Sequence, residues 1–461
     1  MKFLDEDLLL GSELAVKLYR CVKDLPIVDY HSHLSPREIA EDKRFYNLAQ
    51  LWLAGDHYKW RLMRACGVPE EKITGGASDR EKFLAFAEIL PLCIGNPIYI
   101  WCHLELKKYF GIKTPVCAET AAEIYDATEK QMRETPFTAR GCIRASNVEL
   151  LCTTDDPADD LIYHRALAED ASLGFRVLPS FRPDKAVHIE LPAFAPYVRA
   201  LTGKQSPTAA DIRAALCARL DYFAAAGCFV SDHALDTFIY EERGAEQLEK
   251  ILAAALRGEK ISAQDAEGWQ TALLCFLAGE YKARNIAMQL HFNCQRNINA
   301  KMYGRLGPDT GYDSINVSAS PRKLAQFFDA LEQKNSLPKT IVYSLNPQDD
   351  KLINTIIGSF QGGARGKMQH GSAWWFNDTK GGMRAHLQTL SEYGVLGNFI
   401  GMLTDSRSFT SYVRHDYFRR ILCDHLANCA LCGEYPADEK ALSEIAAGIS
   451  LGNAKRYFGL N

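Results

Sequence analysis

The stretch IVDYHSHLSP, residues 27–36, is an apolar run that leads into an aspartate, a tyrosine and two histidines. Side-chain direction repeats every two residues on an extended chain, so His31 and His33 project from the same face of a strand. Two neutral imidazoles that converge from a rigid strand suit Zn²⁺ or a similar divalent ion. The alternative is that one of them is only hydrogen-bonded in the core. The spacing at a strand-to-loop junction favours a metal site.

Seven further apolar, β-rich runs that end in polar residues follow along the chain. Helix-like segments such as 208–227 and 320–335 separate them. Strands this apolar have no wet face, which favours a parallel sheet with helical crossovers. Eight such units predict an α/β fold of the (β/α)8 TIM-like barrel type, with a doubly wound sheet as the alternative. The predicted strands are 26–33, 148–157, 175–185, 228–235, 287–293, 340–347, 367–375 and 399–408.

The interval between the first two predicted strands is too long for a simple crossover. It carries capping-box patterns at Ser78 and Thr120, which are typical of helix starts. We therefore predict three parts. Residues 1–35 hold an N-terminal helix and strand one, residues 36–147 form a helical insertion or lid, and residues 148–461 form the rest of the barrel with C-terminal helices.

Composition limits the classes of partner. The 461 residues are 47% hydrophobic and 24% charged, with a net charge of −4, so the chain has no basic footprint for nucleic acid. No apolar run approaches the ~18–20 residues of a membrane helix, and no membrane partner is expected. The fourteen cysteines are scattered through apolar segments, which predicts reduced thiols in a cytoplasmic protein.

One cysteine cluster stands apart from this pattern. Cys423, His425, Cys429 and Cys432 lie within eleven residues of one another, and a zinc site is conceivable there. The segment reads as a helix that ends at Gly433, and no second CxxC motif pairs with it. The helix interpretation is preferred.

Two further strand ends offer metal ligands. His291 ends predicted strand five and Asp405 ends predicted strand eight, so together with His31 and His33 they would complete a mixed nitrogen and oxygen site. This arrangement resembles the amidohydrolase superfamily of metal-dependent hydrolases.

The sequence departs from that superfamily at two strands. Strand six ends in SLNP, so Asn346 or a neighbour stands where the superfamily usually has a histidine. Strand four supplies His233 in place of the lysine or glutamate that often bridges two metals. Both departures favour one metal ion at most.

Many long motifs of the chain point to one family. They include DYHSHLSP (29–36), LWLAGDHYKWRLMRACGV (51–68), PSFRPDK (179–185), GKMQHGSAWWFND (366–378) and GMLTDSRSF (401–409). In these motifs the chain resembles the uronate isomerase (glucuronate isomerase) family. That resemblance implies a distorted (β/α)8 barrel that interconverts D-glucuronate with D-fructuronate, and D-galacturonate with D-tagaturonate.

A hexuronate substrate has a carboxylate that needs a binding group. Arginine's planar fork suits a carboxylate, and Arg182 and Arg407 both follow predicted strands. Each could instead be a structural ion-pair partner. Trp374 and Trp375 end strand seven and line the sugar pocket or pack in the core, while His291 is a ligand or a substrate contact.

Aldose–ketose isomerisation through an enediol needs a base, a proton donor and stabilisation of an oxyanion. Asp405, beside the presumed metal, is the candidate base. Tyr58 resembles the family's phenolic acid or base, and His57 beside it is expected to bind substrate.

The sequence thus predicts an intramolecular oxidoreductase that acts on small-molecule hexuronates. One divalent ion, with zinc as first choice, would be held by His31, His33 and Asp405 without being strictly required for turnover. The alternative function is a mononuclear metal-dependent hydrolase in which Asp405 activates water. A sugar-acid-binding protein without activity is a third reading, and assembly into a homo-oligomer is left open.

Overall fold

The computed structural model describes residues 3–317 and 320–460. Eleven β-strands occur in these residues. They are β1 (Ile27–Asp29), β2 (Arg44–Phe45), β3 (Phe137–Thr138), β4 (Val148–Cys152), β5 (Arg176–Leu178), β6 (Val230–Ala234), β7 (Ala287–Phe292), β8 (Cys294–Gln295), β9 (Ser314–Ile315), β10 (Thr340–Ser344) and β11 (Met368–His370).

The same residues form twenty-one α-helices. They are α1 (Glu13–Val22), α2 (Pro36–Ala40), α3 (Leu48–Trp52), α4 (His57–Ala65), α5 (Asp79–Ile89), α6 (Pro97–Phe110), α7 (Ala118–Glu134), α8 (Ala139–Ala145), α9 (Ile162–Glu169), α10 (Asp184–Val187), α11 (Phe194–Thr202), α12 (Ala209–Ala225), α13 (Ala245–Leu256), α14 (Ala263–Ala283), α15 (Ala300–Leu306), α16 (Pro321–Gln333), α17 (Asp350–Gly358), α18 (Lys380–Tyr393), α19 (Val413–Leu431), α20 (Glu439–Ala447) and α21 (Asn453–Phe458). None of these helices combines the length and the apolar character that a bilayer crossing requires.

Seven of the strands run parallel in chain order. One sheet has the order β1-β4-β5 and the other the order β6-β7-β10-β11, and every pairing within them is parallel. Parallel bridges from Asp155 to Phe181 and from Phe181 to Ser231 connect the two sheets. Consecutive parallel strands with helical crossovers are the arrangement of a TIM-like α/β fold, so the predicted fold class is confirmed.

The prediction of an eighth regular strand at 399–408 is wrong, because the described residues form no strand there. This eighth segment still runs beside β1, because the Asp405 N–H donates to the His31 carbonyl at 3.1 Å and the His33 N–H donates to the Ser406 carbonyl at 3.0 Å. It cannot extend into a ladder because φ is +83° at Gly401 and +46° at Asp405. Between these two residues the chain is held by a side chain, since the Thr404 N–H donates to Asp29 Oδ1 at 2.9 Å.

Side chains that alternate along β7 face either the hydrophobic core or the opposite side of the sheet. On β7, Met288, Leu290 and Phe292 pack into a hydrophobic cluster with the surrounding helices. Gln289 and His291 lie on the opposite face of the same strand. Strand β7 thus buries apolar side chains against helices and directs Gln289 and His291 to the other side.

Helices α2 to α8 fill the long interval after β1. The predicted capping box at Ser78 is confirmed, with Glu81 as its partner at the start of α5. The predicted start at Thr120 is wrong, because α7 begins at Ala118 after Cys117. Thr120 lies in the first turn, where its hydroxyl accepts the Cys117 N–H at 3.1 Å.

The cysteine cluster near the C-terminus is helical, as preferred from the sequence. Cys423 and Cys429 lie within α19, and the helix is followed by Gly433 at a φ of +78°. All fourteen cysteines are free thiols.

The eighth segment supplies a stability prediction. A Cβ at Gly401 would lie 2.2 Å from the Ile449 carbonyl oxygen, and the positive φ adds strain. We expect Gly401→Ala to lower the free energy of unfolding by about 2 kcal/mol or more, and the thermal unfolding midpoint with it. The control is Gly397→Ala, because a Cβ there meets no atom within 4 Å. Equal midpoints for the two variants would contradict the prediction.

Candidate active site

A cavity of about 690 Å³ lies at the carboxyl ends of the parallel strands. Such a position is typical of active sites in TIM-like folds. Every residue that the sequence assigned to catalysis, substrate binding or the metal contributes to its wall. These are His31, His33, His57, Tyr58, Arg182, His291, Trp374, Trp375, Asp405 and Arg407.

Asp405 is the centre of the first group of contacts. Its Oδ1 lies 3.1 Å from His31 Nε2 and 3.0 Å from His33 Nε2, and its Oδ2 accepts the Trp374 indole N–H at 2.6 Å. Burial would raise the pKa of Asp405, but the hydrogen bonds from the two histidines outweigh it and hold the pKa well below its usual range. The carboxylate is therefore ionised at neutral pH and fixed on three sides.

Asp232 on β6 is the centre of a second group. Its carboxylate lies 2.7 Å from His291 Nδ1, 3.1 Å from the Arg182 guanidinium and 4.0 Å from His31 Nδ1. Burial opposes ionisation of Asp232, yet Arg182 and the histidines lower its pKa well below the usual range. The His291 ring is also stacked on Tyr343, with centroids 4.2 Å apart and planes 6° apart. Its orientation is fixed from two directions.

The donor atoms fit a divalent metal ion. His31, His33 and Asp405 form one possible ligand set, and His31, Asp232 and His291 form another, with the donor atoms in each set within 4.8 Å of one another. Nδ1 of His31 and Nε2 of His291 are buried and have no hydrogen-bond partner among the described residues. Burial lowers the pKa of His33 and so favours the neutral imidazole that a metal ion requires. Imidazole and carboxylate donors together suit zinc and similar ions.

His233 does not contribute to the site, and the expectation that strand four would supply it is wrong. Side chains alternate along β6, so Asp232 and Ala234 face the cavity while His233 faces the helices. The His233 ring lies 5.6 Å from that of Tyr281 on α14. Burial lowers the pKa of His233 to about 4, so the side chain is neutral.

Helix α4 delivers His57 and Tyr58 to the cavity. Asp56 caps the helix, because its carboxylate accepts the Tyr58 N–H at 3.0 Å. The two rings stack with centroids 4.9 Å apart, and the His57 ring lies 5.4 Å from the Trp375 ring. Burial and the nearby Asp405 raise the pKa of Tyr58 well above its usual value, while burial lowers the pKa of His57. The phenol is therefore protonated and the imidazole neutral at pH 7.

Two arginines and an aspartate form the outer rim of the cavity. Arg407 lies 3.4 Å from Asp309, and Arg296 lies 3.9 Å from Asp309 and 5.5 Å from the Trp375 ring. Neither Arg296 nor Asp309 was among the candidates from the sequence. Both lie in the long connection between β7 and β10, and neither residue is at the end of a predicted strand.

Hydrogen bonds join this connection to helix α4. Arg61 donates to the carbonyls of Gly311 and Asp313 at 2.9 and 2.8 Å, and Arg64 donates to the carbonyl of Thr310. We call residues 307–313 the strap. Gly311 has a φ of +93°, and a Cβ there would lie 3.0 Å from the His57 carbonyl oxygen. Only glycine accepts both the positive φ and this close approach.

Arg414, in the first turn of α19, also lines the cavity and was missed. Its guanidinium lies 5.6 Å from the Tyr58 ring centroid and donates to the Thr404 carbonyl at 3.1 Å. The position lies beyond the predicted strand ends, so the barrel argument gave no reason to single it out.

The parallel strands and the cavity at their carboxyl ends define a TIM-like α/β protein with a candidate metal site. A protein of Lactobacillus casei classed as a metal-dependent hydrolase has the same fold, with a TM-score of 0.52 and 12% identity over 96% of this chain and 97% of that one. At this identity the likeness concerns the fold alone.

The family follows from closer similarities. The family model described as glucuronate isomerase matches residues 1–458, and the chain belongs to that family. A uronate isomerase of Caldicellulosiruptor saccharolyticus is 49% identical over 99% of both chains. The crystal structure of a uronate isomerase from Thermotoga maritima matches with a TM-score of 0.94 and 34% identity, over 99% of this chain and 100% of that one.

The donor geometry predicts measurable metal binding. We expect chelator-treated protein to bind about one equivalent of Zn²⁺ in a calorimetric titration, and His33→Gln to weaken that affinity by more than about tenfold. The control is His57→Gln, since His57 lines the same cavity but belongs to neither ligand set. An unchanged affinity in His33→Gln would exclude the set that contains His33.

Proposed function

We propose that this chain interconverts aldohexuronates and ketohexuronates, taking D-glucuronate to D-fructuronate and D-galacturonate to D-tagaturonate. Full-length similarity to uronate isomerases supports the reaction. The observation that carries the proposal is a single cavity that holds arginines, an ionised carboxylate and a protonated phenol. An aldose–ketose isomerase that acts on a sugar acid needs all three groups.

Arg407 is the main candidate for the substrate carboxylate. Its side chain is 40% exposed, and its nearest carboxylate is that of Asp309 at 3.4 Å. Arg182 is also in the cavity wall, but its guanidinium already pairs with Asp184 at 2.7 Å and Asp232 at 3.1 Å. Arg407 can therefore take a bidentate partner more freely, while Arg182 supplies charge and orients the Asp232 group.

Asp405 and Tyr58 are the candidate proton-transfer groups. Removal of the C2 proton with protonation of O1 gives an enediol, and removal of the O2 proton with delivery of a proton to C1 gives the ketose. Asp405 is ionised and can accept a proton, whereas Tyr58 is protonated and can donate one. His57, Trp374 and Trp375 line the same space, where they position the sugar.

One divalent ion, with zinc as the first choice, would be held by His31, His33 and Asp405. Bound there it supplies Lewis-acid stabilisation of negative charge on a substrate oxygen. We propose that turnover does not strictly depend on it, because the arginines and Tyr58 offer further charge stabilisation.

Residues 36–147 are proposed to act as a lid, since they bring His57 and Tyr58 to the cavity. Fourteen free thiols are compatible with the cytoplasm. Assembly into a homo-oligomer stays a prediction.

The first prediction from the proposed function concerns the reaction. Purified protein incubated with D-glucuronate or D-galacturonate should give a ketouronate of the same mass, because isomerisation moves hydrogen without adding water. Chromatography coupled to mass spectrometry detects the product. Absence of a ketouronate from both substrates would favour the alternative, a mononuclear hydrolase with Asp405 as the group that activates water.

The second prediction concerns Tyr58. We expect Tyr58→Phe to lower kcat by about 10²–10⁴-fold, the range for loss of a general acid or base, with little change in KM. Tyr197→Phe is the matched control, because its hydroxyl bonds Asp156 at 2.9 Å and is not in the cavity wall. A kcat that is as high in Tyr58→Phe as in the control would remove Tyr58 from the chemistry.

The third prediction concerns the route. In heavy water an enediol pathway should place solvent deuterium at C1 of the ketose, since the proton delivered there comes from an exchangeable group. NMR of the product reports this directly. Unlabelled C1 after complete conversion would contradict exchange with solvent during the transfer.

A further inference from the structure

Arg414 is a buried cation in the wall of the active-site cavity, and no catalytic step described above uses it. It is only 4% exposed. Burial of a guanidinium is costly unless it is paired, so its contacts indicate what the residue does. Four separate parts of the chain supply them.

Two of these contacts hold the guanidinium by its edge. Its Nη1 atom donates to the Thr404 carbonyl at 3.1 Å and lies 3.5 Å from Asp378 Oδ2. Thr404 directly precedes Asp405 in the eighth segment, and Asp378 follows the Trp374–Trp375 pair after β11. Arg414 thereby links the segment of the candidate base to the loop of the sugar-lining tryptophans.

The guanidinium also lies over two aromatic rings. It lies 4.2 Å from the Trp101 centroid and 5.6 Å from the Tyr58 centroid, within the range of cation–π attraction. The hydroxyl of Tyr58 has no hydrogen bond to any residue that the structure describes. The direction of the phenol is therefore set by contacts of its ring, and His57, Trp375 and Arg414 are among them.

We propose that Arg414 is a positioning residue that holds the Tyr58 phenol in register with Asp405. The inference rests on the proposed function, in which these two groups transfer protons. The carbonyl next to Asp405 and the ring of Tyr58 both contact one rigid guanidinium, so the separation of the two proton-transfer groups is fixed through it. Its positive charge also favours the negative charge that develops on the phenol oxygen as the proton leaves.

Helix α19 contains a matched control. Arg420 is 5% exposed, lies 4.2 Å from the Tyr19 ring centroid and pairs with Asp416 at 3.0 Å. It repeats the combination of a buried arginine, a tyrosine ring and an aspartate, but it is outside the cavity wall. Loss of Arg420 should cost stability without changing the geometry of the site.

The test is a double-mutant cycle measured on the isomerisation of D-glucuronate. Arg414→Met should lower kcat by roughly 100-fold, the scale of a misplaced catalytic group, with KM within about twofold. In a Tyr58→Phe background the same substitution should lower kcat by less than about threefold, because the group that it positions is gone. Arg420→Met should leave both constants unchanged even where it lowers the thermal midpoint.

Arg414→Lys replaces Arg414→Met in the double-mutant cycle if the methionine variant does not fold. Lysine keeps a positive charge but lacks the planar fork, so kcat should fall by about tenfold in the wild-type background and little in the Tyr58→Phe background. Losses that multiply across the cycle, or an equal kcat loss in Arg420→Met, would overturn this inference while the isomerase function stands. No ketouronate from the wild-type chain would overturn the proposed function, and this inference with it.

Discussion

The geometry of the candidate site depends on one buried carboxyl group, that of Asp29. It accepts the N–H and the hydroxyl of Thr404, where a regular strand would have offered backbone partners. Burial raises the pKa of Asp29 to about 6, although the two hydrogen bonds from Thr404 oppose the rise. Because Asp29 stands two residues before His31, and Thr404 directly precedes Asp405, this contact sets how close the carboxylate comes to the imidazoles. Hydrogen bonds to a side chain thus align the two segments, where backbone hydrogen bonds would align two regular strands.

The second constraint is the pairing of buried charge. Two carboxylates remain ionised in the cavity only because cationic or hydrogen-bonding groups surround them: histidines for Asp405, and Arg182 with histidines for Asp232. Tyr58 lines the same cavity, and its pKa is raised where those of Asp405 and Asp232 are lowered. Neighbouring groups whose pKa values are shifted in opposite directions are the usual basis of acid and base roles. The His291 ring is oriented by stacking as well as by charge, and this stacking needs Gly371. A Cβ at that residue would lie 1.9 Å from the Tyr343 ring.

The sequence predicted the fold well where periodicity carries the information. Seven of the eight strands are regular, and all the side chains assigned to catalysis, substrate binding or the metal reach one cavity. It failed at the eighth because positive φ values at Gly401 and Asp405 leave no mark in a hydrophobic pattern. In the motif SDHALD the histidine was the conspicuous ligand type, yet alternation along β6 places Asp232 inside. Arg414 could not be found from strand ends, since its role depends on contacts between distant parts of the chain.

The strap has a consequence for how such a site can change. Arg61 and Arg64 hold it by the main-chain carbonyls of Gly311, Asp313 and Thr310, so these hydrogen bonds to α4 do not depend on the side chain of Asp309. Asp309, beside Arg407 at the rim, is therefore on a segment whose anchoring and chemistry are separable. A substitution of Asp309 changes the charge beside Arg407 and keeps these hydrogen bonds to the helix that carries Tyr58. The charge at the rim and the attachment of the helix that carries His57 and Tyr58 thus depend on different parts of the strap.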